Sequence, residues 1–205
     1  MVDTRAIARE NEIEALKALA QMGWLTVSLL ADWVYPEAAT RHSAINQTQR
    51  LVRRLSERNL VLGRSSAIGR AWVLTKPGAA CLNAETISKG YSRGWAHHGY
   101  DLSVCQPVAQ KLISEALSQK RTEGFAVVGP AAIRAKLTED DFREFDGVYI
   151  NINSEPYTVS GVHVLHDAST RSIERIQRLA DKVNGGVHLV GEPQLVSVVS
   201  RKLGH

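Results

Sequence analysis

Hydrophobic residues recur at helical spacing in the first part of the chain. Between residues 5 and 22 the apolar positions follow a 3.6-residue period, and Gly23 fits the end of that helix. A second short apolar helix is predicted over 25–34, where Tyr35-Pro36 ends it. These two segments predict a small helical core at the N-terminus.

A third helix is predicted over 40–59, with two faces of opposite character. Its apolar stripe consists of Ala44, Ile45, Thr48, Leu51, Val52 and Leu55. Its other face presents Asn46, Gln47, Gln49, Arg50, Arg53 and Arg54. Two short apolar segments, 60–62 and 71–74, flank a polar turn from Gly63 to Arg70, which predicts a hairpin with a Gly/Ser/Arg tip. Residues 75–82 predict a short closing helix.

The pattern of apolar and polar positions changes in the second half of the chain. Residues 84–96 lack clear periodicity and contain two glycines, which predicts a linker between domains at 4–83 and 97–205. Beyond it the pattern predicts a long helix from Asp101 to about Thr122, strands at 125–128, 146–152 and 157–165 with a turn at 153–156, a helix to about Val183, and then a strand at 187–190 and a last helix. The predicted fold class is therefore α/β (α+β).

Charge adds a second argument to this pattern. The net charge is only +4, but residues 41–76 contain seven arginines and Lys76 against Glu57 alone. Such local basicity is the footprint of a phosphate-binding face. No apolar run reaches the roughly 18 residues of a membrane span, and the charged N-terminus has no signal region, which predicts a cytoplasmic protein without membrane contact. Cys81 and Cys105 form no CxxC pair, so the sequence indicates no disulfide framework or structural zinc site.

Three helices followed by a hairpin are the pattern of the winged helix-turn-helix, and the stretch RNLVLGRSSAIGRAWVLTKPGAACL resembles the wing region of that family. The resemblance implies DNA binding through the third helix, with the wing on the backbone. The side chains fit, because Asn and Gln suit adenine while Arg suits guanine or phosphate. The candidate DNA-binding residues are Arg41, Asn46, Gln47, Gln49, Arg50, Arg53, Arg54, Arg64 and Arg70. The alternative is an ordinary solvated helix in a winged helix that binds protein.

The second half resembles a nuclease core. Its order of helix, three strands, helix and strand (αβββαβ) is that of the PD-(D/E)XK nuclease-like fold. Most of the chain resembles the replication-relaxation family of plasmids and conjugative elements, through the wing with VLTKPGAACL, the paired His97-His98 and the Asp146-Gly147 step that enters a strand. That resemblance implies a role in plasmid replication or in DNA processing at transfer origins, and an active site of the nuclease type in some members.

The acids of such an active site are incomplete. Asp146 occupies the position of the first acid, but the strand at 157–165 carries neither the second acid nor the lysine of the E-x-K motif. His163 and His166 are three residues apart, so on a strand they point to opposite faces. We therefore predict a strand histidine and a turn histidine, with no catalytic residue, metal or cofactor. For His97 and His98 we expect helix capping, packing or contact with DNA.

These observations predict a sequence-specific DNA-binding accessory factor or regulator of a plasmid or conjugative element. Its expected partners are double-stranded DNA and a relaxase or other mobile-element protein, and a homodimer is compatible with the sequence. Two alternatives stay open. One is a metal-dependent relaxase or nuclease that uses Asp146. The other is a plain winged-helix transcriptional repressor with a C-terminal dimerisation domain.

Overall fold

The computed structural model describes residues 4–88, 96, 98, 106–135 and 140–204 of the 205-residue chain. Its helices are α1 Thr4–Met22, α2 Val27–Val34, α3 Arg41–Glu57, α4 Lys76–Ser88, α5 Pro107–Thr122, α6 Pro130–Arg134, α7 Thr170–Ala180 and α8 Pro193–Leu203. Its strands are β1 Trp24–Thr26, β2 Val61–Ser66, β3 Gly69–Leu74, β4 Ala126–Val128, β5 Gly147–Asn151, β6 Thr158–Val164 and β7 Val187–Val190. A 3₁₀ helix spans Asp140–Glu144. The chain is thus a mixed α/β protein with two sheets, and within the described residues no helix is long and apolar enough to cross a membrane.

The chain divides into two compact units, Met1–Pro107 and Val108–His205. The first unit contains helices α1 to α4 and a three-stranded antiparallel sheet of order β1-β3-β2. The second contains a four-stranded sheet of order β4-β5-β6-β7, in which β6 and β7 are parallel and the other pairs are antiparallel.

Helices α1 and α3 of the first unit begin and end close to the bounds that the sequence predicts. Helix α1 covers the predicted segment and ends at Gly23, which has a φ of +83° and donates its N–H to the Leu19 carbonyl at 2.8 Å. Helix α3 is capped by Thr40, whose hydroxyl accepts the Ser43 N–H at 3.1 Å. The predicted apolar stripe of α3 faces the core, since Leu51 and Leu55 are fully buried. The 3.6-residue period therefore located both helices.

Strand β1 corrects the predicted second helix, which had begun at residue 25. Trp24–Thr26 instead pairs with β3, with Trp24 opposite Val73. Thr26 then caps the shorter helix α2 by accepting the Leu29 N–H at 3.4 Å. The sequence did not separate β1 from α2, because three apolar residues carry no period and their partner strand lies 45 or more residues away.

The hairpin is longer and its turn tighter than predicted. The ladder runs from Val61 opposite Leu74 to Ser66 opposite Gly69, so only Ala67 and Ile68 form the turn. Gly69 has a φ of +110°, a backbone conformation that suits glycine. Residues predicted as a loop, including Arg64 and Arg70, therefore lie on paired strands.

Helix α4 also extends beyond the prediction. It continues through Ser88, so residues 84–88 of the predicted linker are helical. Ala96, at the end of that segment, is buried and is held by the Asn83 side-chain amide, which donates to its carbonyl at 3.1 Å and accepts its N–H at 2.7 Å. Residues 89–95, in the middle of the predicted linker, lie outside the described residues.

The second unit has three layers. Helix α5 lies on one face of the sheet, where Leu117 approaches Gly147 of β5. The opposite face carries the core of Ile133, Phe145, Val148 and Leu179, which come from α6, the segment before β5, β5 itself and α7. Gly161 is required in β6, because a Cβ there would lie 2.0 Å from the Phe145 ring. Helix α5 begins at Pro107, whereas the sequence predicted a start at Asp101, which lies outside the described residues.

Candidate nucleic-acid interface

Helix α3 presents a polar, mostly basic face to solvent. Gln47, Gln49, Arg50, Arg53 and Arg54 are exposed, and Asn46 is half-buried at the edge of the same face. Within the described part of the chain no side-chain hydrogen bond or ion pair engages Arg50 or Gln49. Six of the nine side chains that the sequence assigned to DNA are thus brought together along one side of the helix.

Two of these side chains have a partner on the same helix. Gln47 donates its amide to the Ser43 hydroxyl at 3.1 Å, and Arg53 Nε lies 3.4 Å from Glu57 Oε1. The Arg53–Glu57 pair is largely solvent-exposed, and an exposed pair at this spacing stabilises a helix by only about 0.3–0.5 kcal/mol. A phosphate group can therefore replace Glu57 at small cost.

Arg41 differs from the other candidates because it binds helix α2. Its guanidinium makes a two-point contact with the Asp32 carboxylate, at 2.7 and 3.3 Å, and donates to the Ser28 hydroxyl at 3.0 Å. This contact fixes the first turn of α3 against α2. Sequence reasoning missed this role, since the pattern shows no signal that joins Arg41 to Asp32.

The two hairpin arginines point to opposite faces. Arg64 pairs with Ala71 across the ladder, whereas Arg70 is the chain neighbour of Ala71. Paired residues share a face and successive residues alternate, so Arg64 and Arg70 cannot reach the same side. Arg70 lies over the Trp72 ring, 5.0 Å from its centroid, and crosses Gly63.

A second candidate site lies in the second unit, at the start of β5. Asp146 Oδ2 is 3.1 Å from His163 Nδ1 and accepts the Val164 N–H at 2.9 Å. The contact arises because Asp146 precedes the first ladder pair, Gly147 with Val162, and so faces His163 across the hairpin. His163 is buried, while about a third of the Asp146 side chain is exposed.

The environment of Asp146 favours its ionised form. Burial opposes ionisation, but the hydrogen bonds from His163 and from the Val164 N–H outweigh burial and lower the pKa of Asp146 below its ordinary value. Arg175 of α7 adds a smaller effect in the same direction. Among the residues that the structure describes, no three His, Cys, Asp or Glu side chains are grouped to hold a metal ion. Asp146 and His163 form a hydrogen-bonded carboxylate–imidazole pair beside the start of β5.

The neighbouring His166 and Asp167 are placed in the turn before α7, as the sequence predicted for His166. His166 is exposed. Asp167 accepts the Ser169 N–H at 2.9 Å and the Ser172 hydroxyl at 2.5 Å. The Ser169 side chain, the Ser172 hydroxyl and the Ser169 N–H, in that order, lower the pKa of Asp167 to about 2. Asp167 thereby organises the beginning of α7. Of the paired histidines, His98 is exposed and His97 lies outside the described residues.

Comparison with known proteins adds no relative. The chain matches no family model, no curated protein and no solved structure. The replication-relaxation family therefore stays a prediction that rests on the short motifs of the sequence.

Proposed function

We propose that this chain is a sequence-specific DNA-binding protein that acts as an accessory factor or regulator of a plasmid or conjugative element. In this proposal the first unit is a winged helix-turn-helix, in which α2 and α3 form the helix-turn-helix and β2-β3 is the wing. The second unit is a nuclease-like α/β module whose αβββαβ order has an inserted short helix, α6.

The exposed face of α3 is the observation that carries the proposal. It combines amide side chains, which read adenine, with Arg50, Arg53 and Arg54, which bind phosphate or guanine. The Arg41 contact with Asp32 supports it further, because a reading helix must be held rigidly on its neighbour. The role on a mobile element rests on the resemblance in sequence alone.

DNA binding by α3 is tested by reversing its charge. The variant Arg53→Glu/Arg54→Glu should bind a mixed-sequence duplex about 100-fold more weakly than the wild type in a fluorescence anisotropy titration, because two phosphate contacts are lost and repulsion replaces them. The matched control is Arg171→Glu/Arg178→Glu, which changes the charge equally on the exposed side of α7. If both variants lost DNA affinity equally, or if Arg53→Glu/Arg54→Glu lost none, α3 would not be the helix that binds DNA.

A second candidate function is metal-dependent cleavage at Asp146. It is favoured by one observation: the carboxylate precedes β5 beside a buried histidine, with one oxygen left outside the hydrogen bonds to His163 and Val164.

The third candidate function, a plain transcriptional repressor, differs in the DNA site that the protein binds. Footprinting on a transfer origin and on a promoter distinguishes the repressor from the transfer factor.

A further inference from the structure

A cleft of about 620 Å³ runs along strand β7 in the second unit. Gly186 and the strand residues Val187 to Leu189 form one side of the cleft, and helices α7 and α8 form the others. Its helical walls carry Ile176 and Ala180 from α7 and Val196 and Leu203 from α8, beside the polar Gln177 and Ser200. The cleft is therefore a partly apolar channel that follows an extended backbone.

Strand β7 is an edge strand of the sheet that the described residues form. The Gly161 N–H donates to the Gly186 carbonyl and the Leu165 N–H to the Val190 carbonyl, so these residues face β6. Backbone groups alternate along a strand, so those of Val187 and Leu189 point away from β6. In the part of the chain that the structure describes, no hydrogen bond engages these two residues on the outer side.

The sequence of β7 does not protect this edge. Natural edge strands are blunted by short length, lysine, proline or a bulge; β7 is short, but Val-His-Leu-Val has neither lysine nor proline, and its pairing with β6 has no bulge. Asp181 also lines the cleft and is exposed, and no described side chain forms an ion pair with it. The cleft thus offers backbone donors and acceptors, partly apolar walls and one negative charge.

We propose that β7 accepts an extended segment of a partner protein as a fifth strand. Alternate apolar side chains of that segment enter the channel between α7 and α8, and a lysine or arginine of the segment pairs with Asp181. The proposal is independent of DNA binding by α3. It also gives the second unit a role as a protein-docking module.

A second copy of this chain is a poorer occupant than a free segment. In each copy the side chains of Val187 and Leu189 already pack into their own core, against the clusters of α7 and α8. Pairing of two β7 strands edge to edge would therefore form the backbone hydrogen bonds but leave the cleft of each copy empty. An extended segment of another protein has side chains that are not packed in a core and can enter the cleft.

The test uses a fluorescein-labelled seven-residue peptide, with lysine at one end followed by alternating valine and threonine, and the full-length protein. Saturable binding in an anisotropy titration is expected. Methylation of the peptide nitrogens on the pairing edge should weaken binding about tenfold or more, because it removes the hydrogen bonds to β7. An all-threonine peptide with the same lysine should not saturate.

The protein variants locate the site. Ala180→Glu should abolish peptide binding, since Ala180 is exposed and its substitution fills the channel without disturbing the core. Val198→Glu is the matched control, because Val198 is an exposed residue of α8 outside the channel. Absence of saturable binding, insensitivity to methylation, or equal binding by the Ala180→Glu variant would each overturn the proposal. A dimer in sedimentation that Ala180→Glu dissociates would assign the edge to a second copy and overturn it as well. DNA affinity is measured separately and should not change in either variant.

Discussion

Asp146 and His163 face each other across the β5–β6 hairpin, with 3.1 Å between Asp146 Oδ2 and His163 Nδ1. The same carboxylate oxygen accepts the Val164 N–H, so the aspartate closes the open end of the ladder. Asp146 is the residue that the sequence resemblance matches to the first acid of a nuclease, and His163 lies on β6, where that resemblance leaves the second acid without a match. The pair therefore bears on both stability and the question of catalysis.

The first prediction concerns the acid stability of this pair. In the folded state the pKa of Asp146 is lowered below its ordinary value of 3.8. The pair therefore stabilises the fold fully at pH values above 3.8. This stabilisation is lost as the pH falls through the lowered pKa of the folded state. Asp146→Asn should reduce the free energy of unfolding at neutral pH by about 1–2 kcal/mol. The expected effect is no larger than this because the Asp146 side chain is partly exposed, and solvent weakens its interactions. Urea unfolding from pH 7 to pH 3 measures the difference from wild type, which should shrink toward the acid end.

The control for that experiment is Asp181→Asn. Asp181 is an exposed carboxylate that makes no hydrogen bond in the described residues, so its replacement should have little effect on unfolding at any pH. If the deficit of Asp146→Asn stayed constant down to pH 3, the Asp146–His163 contact would not be the pH-linked one.

The Asp146–His163 pair could have been derived from the sequence. The predicted turn at 153–156 has Asp146 and His163 equally far from its centre, so a regular hairpin makes them cross-strand partners. The two faces of each strand, taken separately, do not show this contact, because it depends on the register between β5 and β6.

Other parts of the structure could not be predicted from the sequence. The predicted polar face of α3 follows from helical period, and that face is exposed. The Arg41–Asp32 contact and the β1–β3 pairing depend on how elements pack, and a single sequence carries no periodic signal for either. The cleft beside β7 likewise exists only once α7 and α8 are placed on the sheet.

The wing supplies a second prediction, which the structure sharpens. Arg64 and Arg70 point to opposite faces of the hairpin, and Arg70 stacks on Trp72. Arg64→Ala should therefore lower the slope of log affinity against log salt by about one unit, without changing the preferred site. Arg70→Ala should change the slope less and reduce stability by about 0.5–1 kcal/mol, the usual effect of losing an exposed cation–π contact. Equal slopes for Arg64→Ala and wild type would exclude the wing from the interface.

The third prediction concerns the reading of bases by Gln47. In the free protein its amide is held by the Ser43 hydroxyl, and it must leave this partner to make two hydrogen bonds to an adenine. Gln47→Ala should keep binding to mixed-sequence DNA nearly unchanged. Discrimination at one A·T position should fall by about tenfold, as measured by competition with site variants. A uniform loss of affinity for every competitor would instead assign Gln47 to the backbone.

The fourth prediction tests the packing of β6 on the segment before β5. A Cβ at position 161 would lie 2.0 and 2.1 Å from two ring carbons of Phe145, closer than any real contact, so the ring or the strand must shift. Gly161→Ala should destabilise the second unit by about 2–3 kcal/mol. Gly124→Ala serves as a control for steric crowding, because nothing lies within 4 Å of its Cβ position, although its φ of +90° adds some strain. An unchanged denaturation midpoint for Gly161→Ala would show that Phe145 can move freely.

The last prediction is that this protein does not cut DNA alone. A magnesium ion in a nuclease site needs converging carboxylates to offset its dehydration. The described residues bring no three His, Cys, Asp or Glu side chains together at Asp146, and one oxygen of Asp146 already accepts two hydrogen bonds. His163 is a poor substitute, because magnesium prefers oxygen ligands.

Manganese and zinc accept nitrogen ligands more readily than magnesium, so the test includes all three metals. A supercoiled plasmid that carries the protein's own binding site is incubated with each metal in turn, beside the variants Asp146→Asn and His163→Ala. The expected result is intact plasmid throughout, with DNA affinity preserved in both variants because the pair lies outside the α3 face. Nicking by the wild type that disappears in either variant would make Asp146 and His163 catalytic and would favour the relaxase over the regulator.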